Sequence, residues 1–558
     1  MLVPKLFTTM RGYTRAQFVA DATAGVIVGI VALPLAIAFA VASGLSPKAG
    51  LYTAIIAGFL IAALGGSKVQ IGGPTGAFVV IVYGIVQKYG VDGLTVATIM
   101  AGVILIVLGL AKLGGAIKFI PAPVVVGFTS GIAVIIFSGQ LRDLFGLAMQ
   151  TVPAEFIGKV EAYAEHAGSY SPWALGVGLV TVLIVVYGPR VTTKVPSPFV
   201  ALVATTAAAQ LLHLPLETIG SRFGAIDASF PALHWPSISL QNLTQLVAPA
   251  FTIAMLGGIE SLLSAVVADG MIGSQHRSNM ELVAQGIANV VTPLFGGIPA
   301  TGAIARTATN IKSGGRTPVA GMIHAVTLLL ITLFVGKWAA LIPMATLAGI
   351  LVVVAYHMSE WRTFRAMLTA PRSDVAVLLV TFGLTVLVDL TVALGVGMVM
   401  ASFLFMRKMA EVTQVAAVTD MFADREGEDG AGLGAHAVPK GVEIYEIDGP
   451  FFFGAAEKFK ETLGSMSRPP LVLILRMRKV GLLDATGIAL IRDLAAKGRR
   501  DGTTLILSGV HSQPMVALTN SDLLDVIGED NCVGDIDEAI ERARAVIAAR
   551  AHPKAGAP

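Results

Sequence analysis

A succession of apolar runs fills the chain from about residue 20 to residue 410. A helix that crosses a bilayer needs about 20 predominantly apolar residues, and within lipid every backbone polar group must be paired internally. The 558 residues are 55% hydrophobic and 13% charged, with a mean hydropathy of +0.77, whereas soluble proteins are about 25% charged. The sequence therefore predicts a polytopic α-helical membrane protein.

The apolar runs divide into two groups of seven elements, with total counts of twelve or thirteen as alternatives. Two elements are half-length helices preceded by extended chain, near residues 74–87 and 300–312. Full spans are predicted near residues 22–42, 50–65, 94–113, 122–140, 173–188, 198–213, 246–268, 281–295, 318–336, 341–357, 374–390 and 393–409. Because an odd number of spans inverts the second half, the halves (about 20–215 and 245–410) are predicted to be inverted-topology repeats. Residues 141–172 and 214–245 are polar enough to be loops.

Basic residues flank both ends of the apolar region. Lys5, Arg11 and Arg15 precede the first run within an N-terminal segment of residues 1–19, and Arg407 and Lys408 follow the last run. The positive-inside rule places both termini of a multi-pass inner-membrane protein in the cytoplasm. The first run is longer than the apolar core of a signal peptide, about 7–15 residues, and is predicted to be a retained helix.

A Thr-Gly-Ala tripeptide occurs once in each half, as Thr75-Gly76-Ala77 and Thr301-Gly302-Ala303, each after a Gly-Gly pair. Interrupted apolar segments in corresponding places of two halves mark a transporter's substrate site. Two facing helix N-termini and the cation Arg306 would favour an anion, and the small residues would let it approach the backbone. The alternative is a glycine-rich helix crossing with a snorkelling arginine.

Glu260 is the ionisable residue of the run AMLGGIESLLSAVVA (Ala254–Ala268). Charges at membrane depth are costly and usually functional, and desolvation disfavours the charged form of a carboxyl group. Glu260 is therefore predicted to carry the coupling proton, with a structural carboxyl as the alternative. Phe78 and Ile304 are candidates for lining the cavity, although each would be equally ordinary in a core. Asp269 is a candidate interfacial residue, and Asp389 is a candidate for either an interfacial or a functional role.

Several function classes lack their sequence signals. The formal net charge of +3 is too small to indicate nucleic-acid binding. His276, His324 and His357 show no metal-ligand spacing, and the single cysteine, Cys532, allows no intramolecular disulfide. No nucleotide-binding G-x-x-x-x-G-K-[ST] motif occurs. We therefore expect a gradient-driven transporter that is not an enzyme and uses no cofactor or metal.

The composition changes after the last apolar run. An acidic, glycine-rich linker is predicted at residues 411–440, because such a stretch buries too little apolar surface to fold. Residues 441–558 alternate strand and helix patterns, which is typical of a sheet covered by helices. Strands are predicted at Val442–Ile447, Leu471–Leu475 and Thr504–Leu507, and helices near 455–465, 486–499 and 535–550.

Several of these stretches together resemble the sulfate permease (SulP/SLC26) family of anion transporters. The similar segments are GLSPKAGLY (Gly44–Tyr52), QIGGPTGAF, GFTSGIAV (Gly127–Val134), the Glu260 run and NMELVAQGIANVVTPLFGGIPATGAIARTATN; DGPFFFGAAEKF and LLDATGIALI resemble the attached STAS domain. The resemblance implies a 7+7 fold with a core domain that moves against a gate domain, a homodimer, and substrate between the half-helices.

The resemblance also assigns roles to residues. Glu260 matches the family's coupling carboxyl, which is Glu in proton-coupled members and Asp in sodium-coupled bicarbonate members. Arg306 matches the basic residue beside the anion site, and Thr75 and Thr301 match the half-helix starts. The runs AMLGGIESLLSAVV, DGMIGSQHRSNMELVAQG and ASFLFMRKMA are most similar to bacterial proton-coupled C4-dicarboxylate transporters.

The tail departs from related bacterial regulators at one turn. Where those proteins carry a phosphorylated serine after the aspartate, this chain reads Asp484-Ala485-Thr486-Gly487. Alanine cannot accept phosphate, so the tail is interpreted as a docking or assembly module, with a cytoplasmic protein as a candidate partner.

The predicted function is proton-coupled uptake of a small dicarboxylate of the succinate or fumarate class across a lipid membrane. The alternative is a symporter or exchanger of sulfate or bicarbonate. A membrane-anchored anion sensor that signals through the tail is a more remote alternative, and Arg306 argues against a neutral nucleobase.

Overall fold

The polypeptide forms two compact units, residues 1–401 and 402–558. A computed structural model describes residues 2–115, 121–149, 152–153, 155–191, 195–224, 233–236, 240–388, 390–419, 438–452, 454, 456, 459–460 and 469–551. The predicted interfacial residue Asp389 and most of the predicted linker lie outside these residues.

The first unit is helical within the described ranges. Its helices are α1 (Lys5–Thr9), α2 (Arg15–Ala42), α3 (Pro47–Leu64), α4 (Gly76–Leu110), α5 (Ala122–Phe145), α6 (Phe156–His166), α7 (Pro172–Val191), α8 (Ser197–Leu211), α9 (Ile219–Phe223), α10 (Leu240–Ile272), α11 (Ser278–Val291), α12 (Ile304–Lys312), α13 (Pro318–Val335), α14 (Met344–Met358), α15 (Trp361–Met367), α16 (Arg372–Leu387) and α17 (Leu390–Val412), the last of which runs into the second unit. Two two-residue strands, β1 (Gly72–Gly73) and β2 (Thr301–Gly302), pair with each other.

Eight helical stretches of the described residues are long and apolar enough to span a membrane, and α8 and α13 are shorter apolar helices. Twelve full spans were expected. The difference arises because helices such as α8, with 15 residues, and α16, with 16, are shorter than a straight crossing requires.

The predicted half-helix at 74–87 and the predicted span at 94–113 lie on either side of a break in α4 at Gly90 (φ 71°, ψ −175°). Two other predictions need correction. Residues 141–172 contain the helix α6, and residues 214–245 contain α9 and the start of α10, so neither segment is only loop. The first apolar helix begins at Arg15 because Thr14 and Gln17 form a capping box there.

Helices in corresponding positions of the two halves make corresponding contacts. In chain order α2, α3, α4, α5 and α7 of the first half correspond to α10, α11, α13, α14 and α16 of the second. Accordingly, α2 packs against α13 as α10 packs against α4, and α3 packs against α13 as α11 packs against α4. Likewise α5 packs against α16 as α14 packs against α7. This reciprocity is what an inverted repeat produces.

These contacts separate two groups of helices. We use core for α2–α4 and α10–α13, and gate for α5–α8, α14 and α16. The chain enters and leaves the centre of the core through β1 and β2, which pair antiparallel with Gly72 opposite Gly302 and Gly73 opposite Thr301.

The second unit contains a five-stranded sheet in the order β3 (Gln414–Ala417), β4 (Val442–Asp448), β5 (Val472–Lys479), β6 (Thr504–Ser508) and β7 (Cys532–Val533). The pair β3–β4 is antiparallel and the other pairs are parallel. The described helices of this unit are α18 (Ala485–Asp501), α19 (Ser512–Asn520), α20 (Leu523–Ile527) and α21 (Ile536–Ala551). One apolar cluster lies on each side of the sheet, around Leu475 and around Ile474.

The predicted strands and the helices at 486–499 and 535–550 match β4, β5, β6, α18 and α21. Strand β3 lies inside the segment predicted to be a linker. The sequence did not indicate this strand, because β3 is formed by pairing with β4, and 24 residues separate the two strands along the chain. Most of the helix predicted at 455–465 lies outside the described residues.

Candidate functional site

The pairing of β1 with β2 brings the starts of two helices together at the centre of the core. Thr75 is the N-cap of α4 and Ala303 is the N-cap of α12. Since the first N–H groups of a helix have no partner within it and carry partial positive charge, the two starts form one region that favours a negative ligand.

The two Thr-Gly-Ala tripeptides are out of register by two positions. Thr75 stands at the N-cap position of α4, whereas Thr301 and Gly302 form β2 and Ala303 stands at the N-cap position of α12. The buried Thr301 hydroxyl donates to the carbonyl oxygen of Gly257 at 2.7 Å. The prediction that Thr301 begins the second half-helix is therefore wrong, because the backbone there is occupied by strand pairing.

The residues after the two caps differ in their surroundings. Phe78 is buried, and its ring lies 3.3 Å from where a Cβ on Gly257 would stand. Ile304 is 44% exposed at the start of α12. Of the two candidates for lining a cavity, Ile304 therefore has an accessible side chain, whereas Phe78 packs against α10. Ala77, which precedes Phe78, is fully buried.

Gly76 marks where the core meets the gate. A Cβ at this position would stand 2.7 Å from Sδ of Met358 on α14 and 3.3 Å from the ring of Phe39 on α2. The helix start thus faces the gate in close contact, and a Cβ at this position would require Met358 to shift. A ligand at this helix end would lie between core and gate.

Arg306 projects from α12 toward the entry of the other half-helix. Its side chain is buried, and Nη2 donates to the carbonyl oxygen of Pro74. Within the described residues Nη1 has no hydrogen-bond partner. Gly73 makes room for it, since its φ is +144° and a Cβ would stand 2.6 Å from Nη1. A buried guanidinium with free donors is costly unless a partner occupies them.

Glu260 lies on α10, half-buried, and faces the same entry segment. The Thr75 hydroxyl donates to Glu260 Oε2 at 3.0 Å instead of capping its own helix. The opposite charges of Glu260 and Arg306 are close enough to attract each other. The two charged side chains of the second half therefore both contact the Pro74–Thr75 segment of the first half.

Glu281 is a buried carboxylate that the sequence analysis missed. Its Oε2 accepts from the backbone N–H of Gly66 at 2.8 Å and of Ser67 at 3.1 Å. Its Oε1 accepts from Ser261 at 3.1 Å and from Gln285 at 3.0 Å. Four donors leave it no free acceptor for transport, so its role is to join α3, α10 and α11. The available signal was an acidic residue in a first helical turn with an amide at i+4.

Replacing Glu281 should destabilise the transport domain. In Glu281→Ala, buried donors lose their acceptor, which costs at least about 3 kcal/mol, so the melting temperature of the detergent-purified protein should fall clearly. Glu281→Gln keeps one acceptor and should fall less. Equal melting temperatures for Glu281→Ala and the unsubstituted protein would contradict this role.

Gly302 packs directly against the buried hydrogen bond between Gln70 and Ser261. Gln70 Nε2 donates to the Ser261 hydroxyl at 2.8 Å, and a Cβ on Gly302 would stand 1.8 Å from that nitrogen. Nearby, the hydroxyl of Thr307 accepts from the N–H of Ile71 at 3.0 Å, and Asn310 donates to the carbonyl of Val69 at 2.8 Å. Close polar contacts thus surround the paired strands β1 and β2, where the two half-helices meet.

Gly302→Ala should disrupt this crossing. Gln70 must move, its bond to Ser261 is lost, and overpacking of this kind costs about 1–3 kcal/mol. We expect a lower melting temperature and strongly reduced transport. Gly84→Ala in α4 is the matched control, because nothing lies within 4 Å of its Cβ position; a Gly302→Ala protein that behaves like Gly84→Ala would refute the argument.

No group of three metal-binding side chains occurs among the residues that the structure describes. His324 on α13 is fully buried beside Gly58, and its ring nitrogens are without hydrogen-bond partners in that described part. Asp269 accepts from Ser274, at 2.7 Å, and from the N–H of His276, also at 2.7 Å, at the end of α10.

Comparison with known families gives two matches along the chain. The sulfate permease family matches residues 18–381, and the STAS domain matches residues 436–541. A putative sulfate transporter, YvdB of Bacillus subtilis, is 41% identical over 95% of this chain and 98% of its own length. A bicarbonate transporter, BicA of a Picosynechococcus strain, is 31% identical over 94% of both chains.

Two solved structures are similar in fold. SLC26A9 superposes with a TM-score of 0.86 at 17% identity, covering 100% of this chain and 94% of its own. The transmembrane domain of a cyanobacterial BicA gives a TM-score of 0.61 at 34% identity, covering 70% of this chain and 98% of its own.

Proposed function

Because this chain is a member of the sulfate permease family of anion transporters, with a C-terminal STAS domain, we propose that it takes up a small oxyanion of the sulfate or bicarbonate class, driven by a proton gradient. The anion would bind at the starts of α4 and α12, between Glu260 and Arg306. Transport, not chemical conversion, is the activity.

The observation that carries this proposal is the free end of Arg306. One guanidinium nitrogen is held by the carbonyl of Pro74, and the other is buried without a partner in the described residues. Two helix starts converge on the same place. An oxyanion would accept from Nη1 and from the backbone N–H groups of both helices, which satisfies donors that are otherwise desolvated.

The sulfate and bicarbonate alternative is favoured over the dicarboxylate class. The relatives described above carry the names of sulfate and bicarbonate transporters. The site itself offers one cation, Arg306, with one free nitrogen within the described residues. The side chain of Met358 lies close to Gly76 and limits the space beside the start of α4. A compact anion needs only this one cluster of donors, whereas a dicarboxylate presents two separated charges.

Glu260 would couple the proton to the anion by charge. An ionised Glu260 repels an anion bound at the helix starts. It also attracts the Arg306 guanidinium, which competes with the anion for that cation. Two unit charges about 5 Å apart interact by roughly 3 kcal/mol at an effective dielectric constant of 20, which is about 100-fold in affinity. Protonation removes this repulsion, so proton and anion bind best together.

The core and the gate would be the two parts that move relative to each other during transport. Thr75, Glu260 and Arg306 all belong to core helices or their caps, while Met358 belongs to the gate. A core that shifts against the gate would carry the complete site from one side of the membrane to the other, since the hydrogen bonds that define the site lie within the core.

Counterflow in proteoliposomes tests the substrate class. Purified protein is loaded with unlabelled anion, and entry of labelled sulfate, bicarbonate or succinate is followed. We expect sulfate or bicarbonate to exchange and succinate to exchange poorly. Preferential succinate exchange would restore the dicarboxylate assignment, and anion binding without any flux would favour the sensor.

A further inference from the structure

Helix α6 lies at the end of the transport domain opposite the N-terminal segment. The N–H of Lys5 donates to Gly65 at the end of α3, and the N–H of Gly114 donates to Asn279 at the start of α11. The N–H of Arg277, just before α11, donates to Gly66, just after α3, so the end of α4 lies on the same side as the N-terminus. Helix α5 starts on that side, crosses, and ends at Phe145 just before α6. With the N-terminus in the cytoplasm, α6 faces outward.

A buried lysine of the gate meets a tyrosine of the core at this outer end. Lys159 on α6 is 5% exposed, and its Nζ lies 5.7 Å from the centre of the Tyr83 ring on α4. The Tyr83 hydroxyl also donates to the carbonyl oxygen of Val152, which precedes α6, at 2.8 Å. Tyr83 belongs to the core helix α4, and its ring packs beside Gly44, 3.4 Å from where a Cβ on that residue would stand.

The charge of Lys159 is poorly compensated in this closed contact. None of the ion pairs within the described part of the chain includes Lys159. Burial lowers the pKa of Lys159 to about 8. A tyrosine ring attracts a cation but does not replace a carboxylate, so the position retains an expensive charge that an apolar side chain of similar length would avoid.

A cavity beside α6 leaves room for a ligand. A cavity of about 220 Å³ adjoins α6 through Leu147 and Met149 and is lined by Arg142. Its two carboxylates are occupied, because Arg222 donates to Asp143 at 2.6 Å and to Glu217 at 2.8 Å. Arg142 Nε lies 4.0 Å from Asp143 Oδ1 and makes no hydrogen bond within the described residues. The acidic side chains of the same segment, Glu155, Glu161 and Glu165, are exposed, whereas Lys159 is buried.

We propose that Lys159 is the residue that first captures the small oxyanion at the outer mouth, and that Tyr83 covers it while this side of the pathway is closed. This inference rests on the proposed uptake function. When the core moves away from the gate, Tyr83 leaves with α4 and the Lys159 ammonium is uncovered. The anion pairs with it before reaching the helix starts. The Tyr83–Val152 hydrogen bond re-forms on closure.

The test measures the apparent KM for external sulfate separately from that for internal sulfate, in cells and in inverted vesicles. Lys159→Met should raise the external KM about tenfold, the loss of one charge-assisted contact, and leave the internal KM unchanged. Lys159→Arg should stay near the unsubstituted protein. Lys88→Met is the matched control: Lys88 also lies over a tyrosine ring, Tyr89 at 5.2 Å, but it is exposed.

Charge rescue separates capture from a structural role. Cys532 is the one cysteine of the sequence, so Lys159→Cys can be made in a Cys532→Ser background. External addition of a membrane-impermeant cationic methanethiosulfonate should restore the low external KM, whereas the anionic reagent should not. Equal effects on both KM values, or no rescue by the cationic reagent, would overturn the proposal. Absence of sulfate flux in the unsubstituted protein would instead reject the proposed function.

Discussion

Glu260→Gln should abolish proton-driven accumulation while leaving anion exchange in place. Glutamine keeps an acceptor for the Thr75 hydroxyl but cannot change its charge, so the anion would see a permanently neutral neighbour. We expect uphill uptake under an inside-alkaline gradient to fall by about 100-fold, the size of the charge term given above. Sulfate–sulfate counterflow should persist and lose its pH dependence.

The control for this substitution is Asp269→Asn, which removes a carboxylate from the C-terminal end of the same helix, α10. Asp269 accepts from Ser274 and His276 and faces no residue of the half-helix starts. It should therefore retain coupled uptake. Coupled uptake that survives in Glu260→Gln would mean that another group carries the proton.

Arg306→Met should remove high-affinity anion binding. The variant loses the free Nη1 donor and the charge, and charge-assisted hydrogen bonds contribute about 1.5–3 kcal/mol, so KM should rise roughly 10- to 100-fold. Arg306→Lys should recover only part of the affinity, because a single ammonium cannot both hold Pro74 and reach the anion. Counterflow at a series of sulfate concentrations measures the effect.

Lys312→Met is the matched control on α12, since Lys312 is exposed in the last turn of the same helix. Melting temperatures of both variants show whether the fold is intact. An Arg306→Met protein with normal KM and normal stability would remove Arg306 from the site.

The sequence was sufficient for features that depend on local composition. Apolar length predicted the helices, and the sulfate permease motifs predicted the family and the attached domain, both of which the comparisons confirm. The Gly-Gly-bounded tripeptides pointed to the helix crossing, because glycine and proline interrupt apolar runs only where the freed backbone finds partners.

Features that depend on contacts between distant segments were out of reach. The two-residue offset of the tripeptides follows from pairing between Gly73 and Thr301. The role of Glu281 follows from N–H groups about 215 residues away. Lys159 sits in a stretch that was interpreted as loop, and only the packing of α6 against Tyr83 makes it notable. In each case local sequence carries no record of the partner.

One change in the interpretation concerns the substrate. Similarity to dicarboxylate transporters rested on short runs, whereas the relatives named above match nearly the full chain and are named for sulfate and bicarbonate. The contacts at Gly76 and Arg306 suit a compact anion. The functional proposal therefore follows the oxyanion alternative.

Accumulation of labelled sulfate in proteoliposomes tests the central claim most directly. With an inside-alkaline gradient, the unsubstituted protein should raise internal sulfate above the external concentration, and a protonophore should return it to equilibrium. Accumulation that is indifferent to the gradient and the protonophore, or no sulfate entry at all, would contradict proton-coupled oxyanion uptake.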